Sequence, residues 1–163
     1  MIKKKYLKNK LNAIDVESYF ENTEIDESCI KEFSNKYFNV NVENKSILGF
    51  DIYKYSDYDL EKQNLIPFIF DLLLDDTIDT VIKKEKTLFE HFVRKANFIS
   101  TGDGGFLVFD TPIHALIFNF YFYSALHLFI TGHFYPKLSK FIDTLLIRTT
   151  ITYDKLYNYE NNY

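Results

Sequence analysis

Asp51 and Asp103 are the residues whose type and setting could do chemistry. Asp51 lies in Leu48-Gly49-Phe50-Asp51-Ile52-Tyr53-Lys54-Tyr55-Ser56, and Asp103 in Phe98-Ile99-Ser100-Thr101-Gly102-Asp103-Gly104-Gly105-Phe106. Each segment is an apolar strand delivering one carboxylate to a polar junction. Two carboxylates held together repel, and their pKa values rise unless a cation intervenes. A pair of divalent ions resolves that conflict and leaves coordination sites open for phosphate oxygens. Mg2+ and Mn2+ both favour oxygen ligands, so the pair predicts a metal-dependent triphosphate site. Residues 52–56 are expected to turn from strand into helix, where backbone N–H groups suit a phosphate. Lys54 could add a charge there, although a solvated surface lysine is its ordinary role.

Each signal has a plainer reading. Gly-Asp-Gly-Gly alone is a hairpin turn, because primed turns demand positive φ. An aspartate closing a strand before a helix is a common cap or turn residue. What favours a site is that both occur in order on one strand–helix pattern.

That pattern begins at Ser46. Residues 46–50 read as a central strand, apolar with little alternation. Ser56 is the expected N-cap of the helix that follows, with Asp57 and Asp59 in its first turn. Its apolar positions are Leu65, Ile66, Ile69, Phe70, Leu73 and Leu74, running towards Ile78 and Ile82, and Pro67 predicts a kink or restart. Strands are expected over 94–101 and 106–110, a helix over about 112–130, and a fourth strand over 144–153. Strand, helix, strand, strand, helix, strand is the α/β (α+β) ferredoxin-like order βαββαβ, an antiparallel sheet with helices on one face. Its first and third strands are neighbours, which would bring Asp51 and Asp103 to one rim. Residues 1–44 differ in composition and predict a helical lead-in, one short helix carrying Ile14, Val16, Tyr19 and Phe20 and another carrying Ile30, Phe33, Tyr37 and Phe38. Residues 45–163 form the domain proper.

Composition narrows the partners. The chain has 163 residues, net charge −4 and 18% aromatic residues, with 17 Phe and 13 Tyr, so one ring-rich core is expected. No basic stripe interleaved with aromatics is present, which argues against nucleic acid. Cys29 is the only cysteine, excluding an internal disulfide and pointing to a buried thiol in a reducing cytoplasm. Met1 to Lys10 is lysine-rich without an apolar core after it, unlike a secretory signal. The stretch 113–130 approaches the length of a membrane span. His114, Asn119, Ser124 and His127 interrupt it, and Pro112 and Gly132 bracket it, so a helix buried between the sheet and another surface is expected. His91, His114, His127 and His133 read as partly buried, hydrogen-bonded core histidines.

At Phe50-Asp51-Ile52-x-x-Tyr55-Ser56 and Thr101-Gly102-Asp103-Gly104-Gly105-Phe106 the chain resembles the catalytic domain of class III nucleotide cyclases. The resemblance runs over about residues 46–163. It implies that Asp51, Asp103 and the Ile52 carbonyl bind two Mn2+ or Mg2+ ions. It also implies that Phe50, Tyr53, Lys54, Tyr55, Ser56, Ile99 and Gly102 surround the nucleotide. Purine-specific members carry a lysine or glutamate where Ile99 stands, and the stretch 98–106 is most similar to the pyrimidine cyclases of the Pycsar anti-phage system. The expected reaction is cyclic UMP from UTP, with cyclic CMP from CTP next, in a cytoplasmic homodimer that binds neither nucleic acid nor membrane. The family's asparagine and arginine on a later helix are absent from these 163 residues, so weak activity or none is expected of them alone. The alternatives are a catalytically inactive nucleotide-binding or dimerisation module, and an interaction domain in which both aspartates are turn residues.

Overall fold

The computed structural model describes residues 25–92 and 97–161. They fall into two units, residues 44–92 with 97–155 in one, and residues 25–43 with 156–161 in the other. In the second unit, α1 (Glu27–Tyr37) is described. Asp26 caps it, accepting from Cys29 N at 2.8 Å and from Ser28 Oγ at 2.7 Å. These bonds to the ionised form hold the Asp26 carboxyl below its ordinary value. Cys29 is buried, as expected. The helix expected at Ile14–Phe20 lies outside the described residues, and Phe38, expected in a helix, begins a strand.

The elements that follow are β1 (Phe38–Ile52), a 3-10 turn (Tyr55–Asp57), α2 (Leu60–Lys84), α3 (Lys86–Phe89), β2 (Phe98–Ser100), β3 (Gly104–Phe109), α4 (Pro112–Ile130), α5 (Pro136–Ile142) and β4 (Ile147–Asn161). The sheet order is β2-β3-β1-β4. β3 pairs antiparallel with both β1 and β2, which is the ferredoxin-like topology expected.

Period-two alternation sorts β1 between two faces. Leu48, Phe50 and Ile52 enter the core with Leu107 and Phe109 of β3 and Ile147 of β4. Phe50 meets Phe70 of α2 edge-on at 5.5 Å and Phe122 of α4 at 4.8 Å. Each such ring taken out of water contributes roughly 1.5–3 kcal/mol. Both long helices therefore cover one face, and Ile47, Gly49 and Asp51 belong to the other.

Several boundaries differ from expectation. Asp59, not Ser56, caps α2, accepting from Lys62 N, because a 3-10 turn takes up Ser56 first. Pro67 sits inside α2 without dividing it. A proline has no N–H, so the carbonyl four residues earlier loses its helical donor. That carbonyl, Gln63 O, instead accepts from Tyr55 Oη at 2.6 Å. The second strand is described only over Phe98–Ser100, because 94–96 lie outside the described residues and Asn97 is not in the strand. The fourth strand starts at Ile147, not Thr144, and runs to Asn161. The short α5 went unforeseen.

α4 forms as expected, with Pro112 at its first turn and Thr111 as N-cap. Ala115, Phe118, Phe122, Ala125, Leu126 and Phe129 are buried. Ile113, Leu116, Phe120, Tyr123 and Ile130 are exposed. No second surface covers this outward side among the described residues, contrary to the expectation of a helix enclosed on both sides. By length and composition α4 is the one described helix able to cross a membrane, and 33% of its most apolar window is buried. The histidines also differ: His91, His127 and His133 are exposed, and only His114 is half-buried. His114 lies edge-on to Phe89 at 5.4 Å with Nδ1 2.8 Å from Thr111 Oγ1.

Candidate functional site

The hairpin that carries Asp103 is tight. Ser100 pairs with Gly105 and Thr101 N donates to Gly104 O at 3.2 Å. Gly102 has φ +100° and Asp103 does not share that sign, the pattern of a type II′ turn. Gly104 lies opposite Asp51, and Ile52 N donates to Asp103 O at 3.1 Å. The two aspartates, far apart in sequence, therefore occupy neighbouring positions at one rim of the sheet.

The outer face at this rim forms a groove of about 360 Å³, lined by residues that include Asp51, Asp103, Thr101, Phe106, Arg148 and Thr150. Gly49 lies on its floor, and Gly104 lies in β3 opposite Asp51. A Cβ at Gly49 would lie 2.9 Å from Thr150 Cγ2 and 3.3 Å from the Phe106 ring, and one at Gly104 would lie 2.2 Å from Phe50 O. Neither position accepts a side chain without displacement, and the bare Gly49 keeps the groove open between Phe106 and Thr150.

Arg148 is the feature that sequence reading missed. It was legible only as an arginine in a strand, because which residue of β1 it meets depends on pairing register. Its Nε donates to Asp51 Oδ2 at 2.7 Å and its Nη2 donates to the same oxygen. Its guanidinium also lies 5.0 Å from the centre of the Tyr53 ring, in reach of a cation–π contact. A planar, permanently charged fork beside two carboxylates is suited to phosphate as well as to carboxylate.

The other expected site residues separate into groups. Phe50 touches the groove, but its ring is buried in the core, and the Ile52 side chain is buried too. Tyr55 uses its hydroxyl on Gln63 O and packs, partly buried, against the core. The expected row of backbone donors after Asp51 is also interrupted. Ile52 N is bonded to Asp103 O, and Tyr53 N donates to Leu146 O at 2.9 Å. α2 starts only at Leu60, so no long-helix N-terminus follows Asp51 directly. Lys54 adopts φ 55° and pairs with Asp57 at 3.8 Å. Ser56 O accepts from Gln63 Nε2 at 3.2 Å. Tyr53, Lys54, Asp57, Tyr58 and Leu146 line a second hollow of about 210 Å³. Burial pushes the Tyr58 phenol above its ordinary value, while its hydroxyl donates to Thr144 O at 2.8 Å. Ile99 is exposed on the outer face opposite Phe106, and Gly102 is at the hairpin tip.

Among the described residues, no group of three or more His, Cys, Asp or Glu side chains is placed to hold a metal ion. Two carboxylates at one rim suit a hard cation that draws its remaining ligands from water and phosphate, as Mg2+ does. They do not suit a closed structural zinc site, which needs four protein ligands. No protein-family model, curated protein or solved structure matches this chain.

Proposed function

We propose that the groove between Asp51, Asp103 and Arg148 binds a pyrimidine nucleoside triphosphate with Mn2+ or Mg2+, and that the chain is a nucleotide cyclase. UTP is the favoured substrate and CTP the next, with a 3′,5′-cyclic nucleotide and pyrophosphate as products. The observation that carries this reading is the convergence of two carboxylates and one guanidinium, from β1, the β2–β3 hairpin and β4, on a groove floored by Gly49. The chain would serve as the cytoplasmic, signal-making half of a Pycsar-type anti-phage system, as the resemblance implies.

In the reaction the ribose 3′-oxygen attacks the α-phosphorus, its proton passes to solvent water, and the bond from that phosphorus to pyrophosphate breaks. Bound divalent ions would make the hydroxyl more acidic and neutralise the leaving charge. Asp51 and Asp103 would hold those ions. With Asp51 engaged as a metal ligand, the Arg148 fork would have its paired N–H donors to offer to phosphate oxygens. The floor at Gly49 admits the triphosphate close to the backbone. Phe106, 41% exposed, offers a face on which a base can stack. Ile99 supplies neither donor nor acceptor to read a purine edge.

A second reading has its own support. The Arg148–Asp51 pair is a complete charge-assisted interaction, and as such it would tie β4 to β1 in a binding module without turnover. Calorimetry with Mn2+ and each ribonucleoside triphosphate, followed by product chromatography, separates the two. Mn2+-dependent UTP binding that Asp51→Ala and Asp103→Ala both abolish supports the site. A cyclic product from UTP supports the cyclase, and binding without product supports the module. Product from ATP or GTP alone refutes the base, and unchanged metal affinity in both variants refutes the site.

A further inference from the structure

Arg148 stands on β4, an edge strand of the sheet, and its side chain is 65% exposed. A long side chain in that setting stays in one place only where contacts outweigh its rotamer entropy. The ion pair alone does not fix the guanidinium. Its Nε and Nη2 both donate to Oδ2 of Asp51, so the two bonds converge on one oxygen. A fork held in parallel by two oxygens is fixed in orientation, whereas one held at a single oxygen can pivot about it. Nη1 makes no hydrogen bond among the described residues, which leaves its donors for a ligand.

Tyr53 limits that pivot. It follows β1 directly, and its N donates to Leu146 O at 2.9 Å. That bond sets Tyr53 beside Leu146, two residues before Arg148. The tyrosine is therefore a diagonal cross-strand neighbour of the arginine, at a range that rings and long side chains span. The ring centre lies 5.0 Å from the Arg148 Cζ. Arg148 lines the groove, while Tyr53 lines the neighbouring hollow and is absent from the groove wall. The ring thus backs the guanidinium without taking ligand space. Its hydroxyl makes no hydrogen bond among the described residues, so the aromatic face is what acts.

We propose that Tyr53 is the positioning residue of this site: its ring holds the Arg148 guanidinium so that the unused donors receive phosphate oxygens. Phosphate as the ligand rests on the nucleotide reading above; the hold of ring on guanidinium does not. Tyr53, expected from the sequence to surround the nucleotide, acts on it through Arg148.

Two measurements on the full chain test this, and the first needs no ligand. The chain has two arginines, Arg94 and Arg148, so Arg148→Met identifies the Arg148 side-chain resonances by NMR. The Tyr53 ring current should displace them. Tyr53→Leu should return them towards solvent values, and Tyr53→Phe should keep them displaced. Circular dichroism should be unchanged in both variants, because Tyr53 is 37% exposed. The second measurement is calorimetry with Mn2+ and inorganic triphosphate. Tyr53→Leu should weaken binding roughly two- to fivefold, as expected for an exposed cation–π contact, and Tyr53→Phe should restore it. In an Arg148→Met background Tyr53→Leu should cost nothing further, because the group it positions is gone. Arg148 resonances unmoved by Tyr53→Leu, or equal losses of affinity with and without Arg148, overturn the proposal. If the wild type binds no triphosphate while the resonances respond as described, the nucleotide reading is refuted and the hold of Tyr53 on Arg148 is supported.

Discussion

Tyr55→Phe is a small change with a definite expected cost. Pro67 denies Gln63 O its helical donor, and the Tyr55 hydroxyl replaces that donor at 2.6 Å. Removing it leaves a partly buried carbonyl without that partner, a loss of about 1–2 kcal/mol. In a domain of this size the melting temperature should fall by about 2–8 °C. Urea denaturation followed by circular dichroism measures the free energy, and the m-value should hold constant because no extra surface is exposed. The stronger test is a double-mutant cycle with Pro67→Ala. Alanine restores an N–H at position 67, so Gln63 O regains a helical partner and the tyrosine hydroxyl becomes redundant. Tyr55→Phe should then cost less than half of its wild-type effect, leaving a coupling of about 1 kcal/mol. Equal costs in both backgrounds would refute the substitution of one donor for the other. The same variant should leave nucleotide binding intact, since Tyr55 faces the core.

Other outcomes follow from the site and its supports. Gly104→Ala forces a Cβ to 2.2 Å from Phe50 O and should destabilise by at least the upper part of the roughly 1–3 kcal/mol typical of overpacking, read from denaturant midpoints. Gly49→Val should leave a folded chain, because it meets side chains rather than backbone, yet abolish Mn2+-dependent UTP binding in calorimetry by filling the groove. Asp110 is held below its ordinary value, chiefly by the Lys45 ammonium donating at 2.7 Å. A depressed folded pKa stabilises above the unfolded value and fades as pH falls through the folded one. The difference in stability between wild type and Asp110→Asn should therefore be full at neutral pH and shrink below about pH 4, with Lys45→Ala removing most of it.

Local chemistry carried most of the fold in the linear chain. Alternation in β1, the Gly102 hairpin, and Thr111-Pro112 before an uncharged apolar run each state their geometry within a few residues, because backbone sterics and caps act locally. The strand order then followed from the succession of elements, and with it the meeting of Asp51 and Asp103. What tertiary structure decided was everything set by register and by long-range satisfaction of polar groups. Arg148 reaches Asp51 only because β4 pairs with β1 at one offset, and a shift of one residue would turn it to the core face. Tyr55 serves Gln63 because a proline twelve residues later left a carbonyl open, a need visible only once α2 runs through Pro67. The exposed side of α4 was hidden for a related reason. An apolar helix states in sequence that it avoids water, while which of its sides meets protein depends on where the sheet ends.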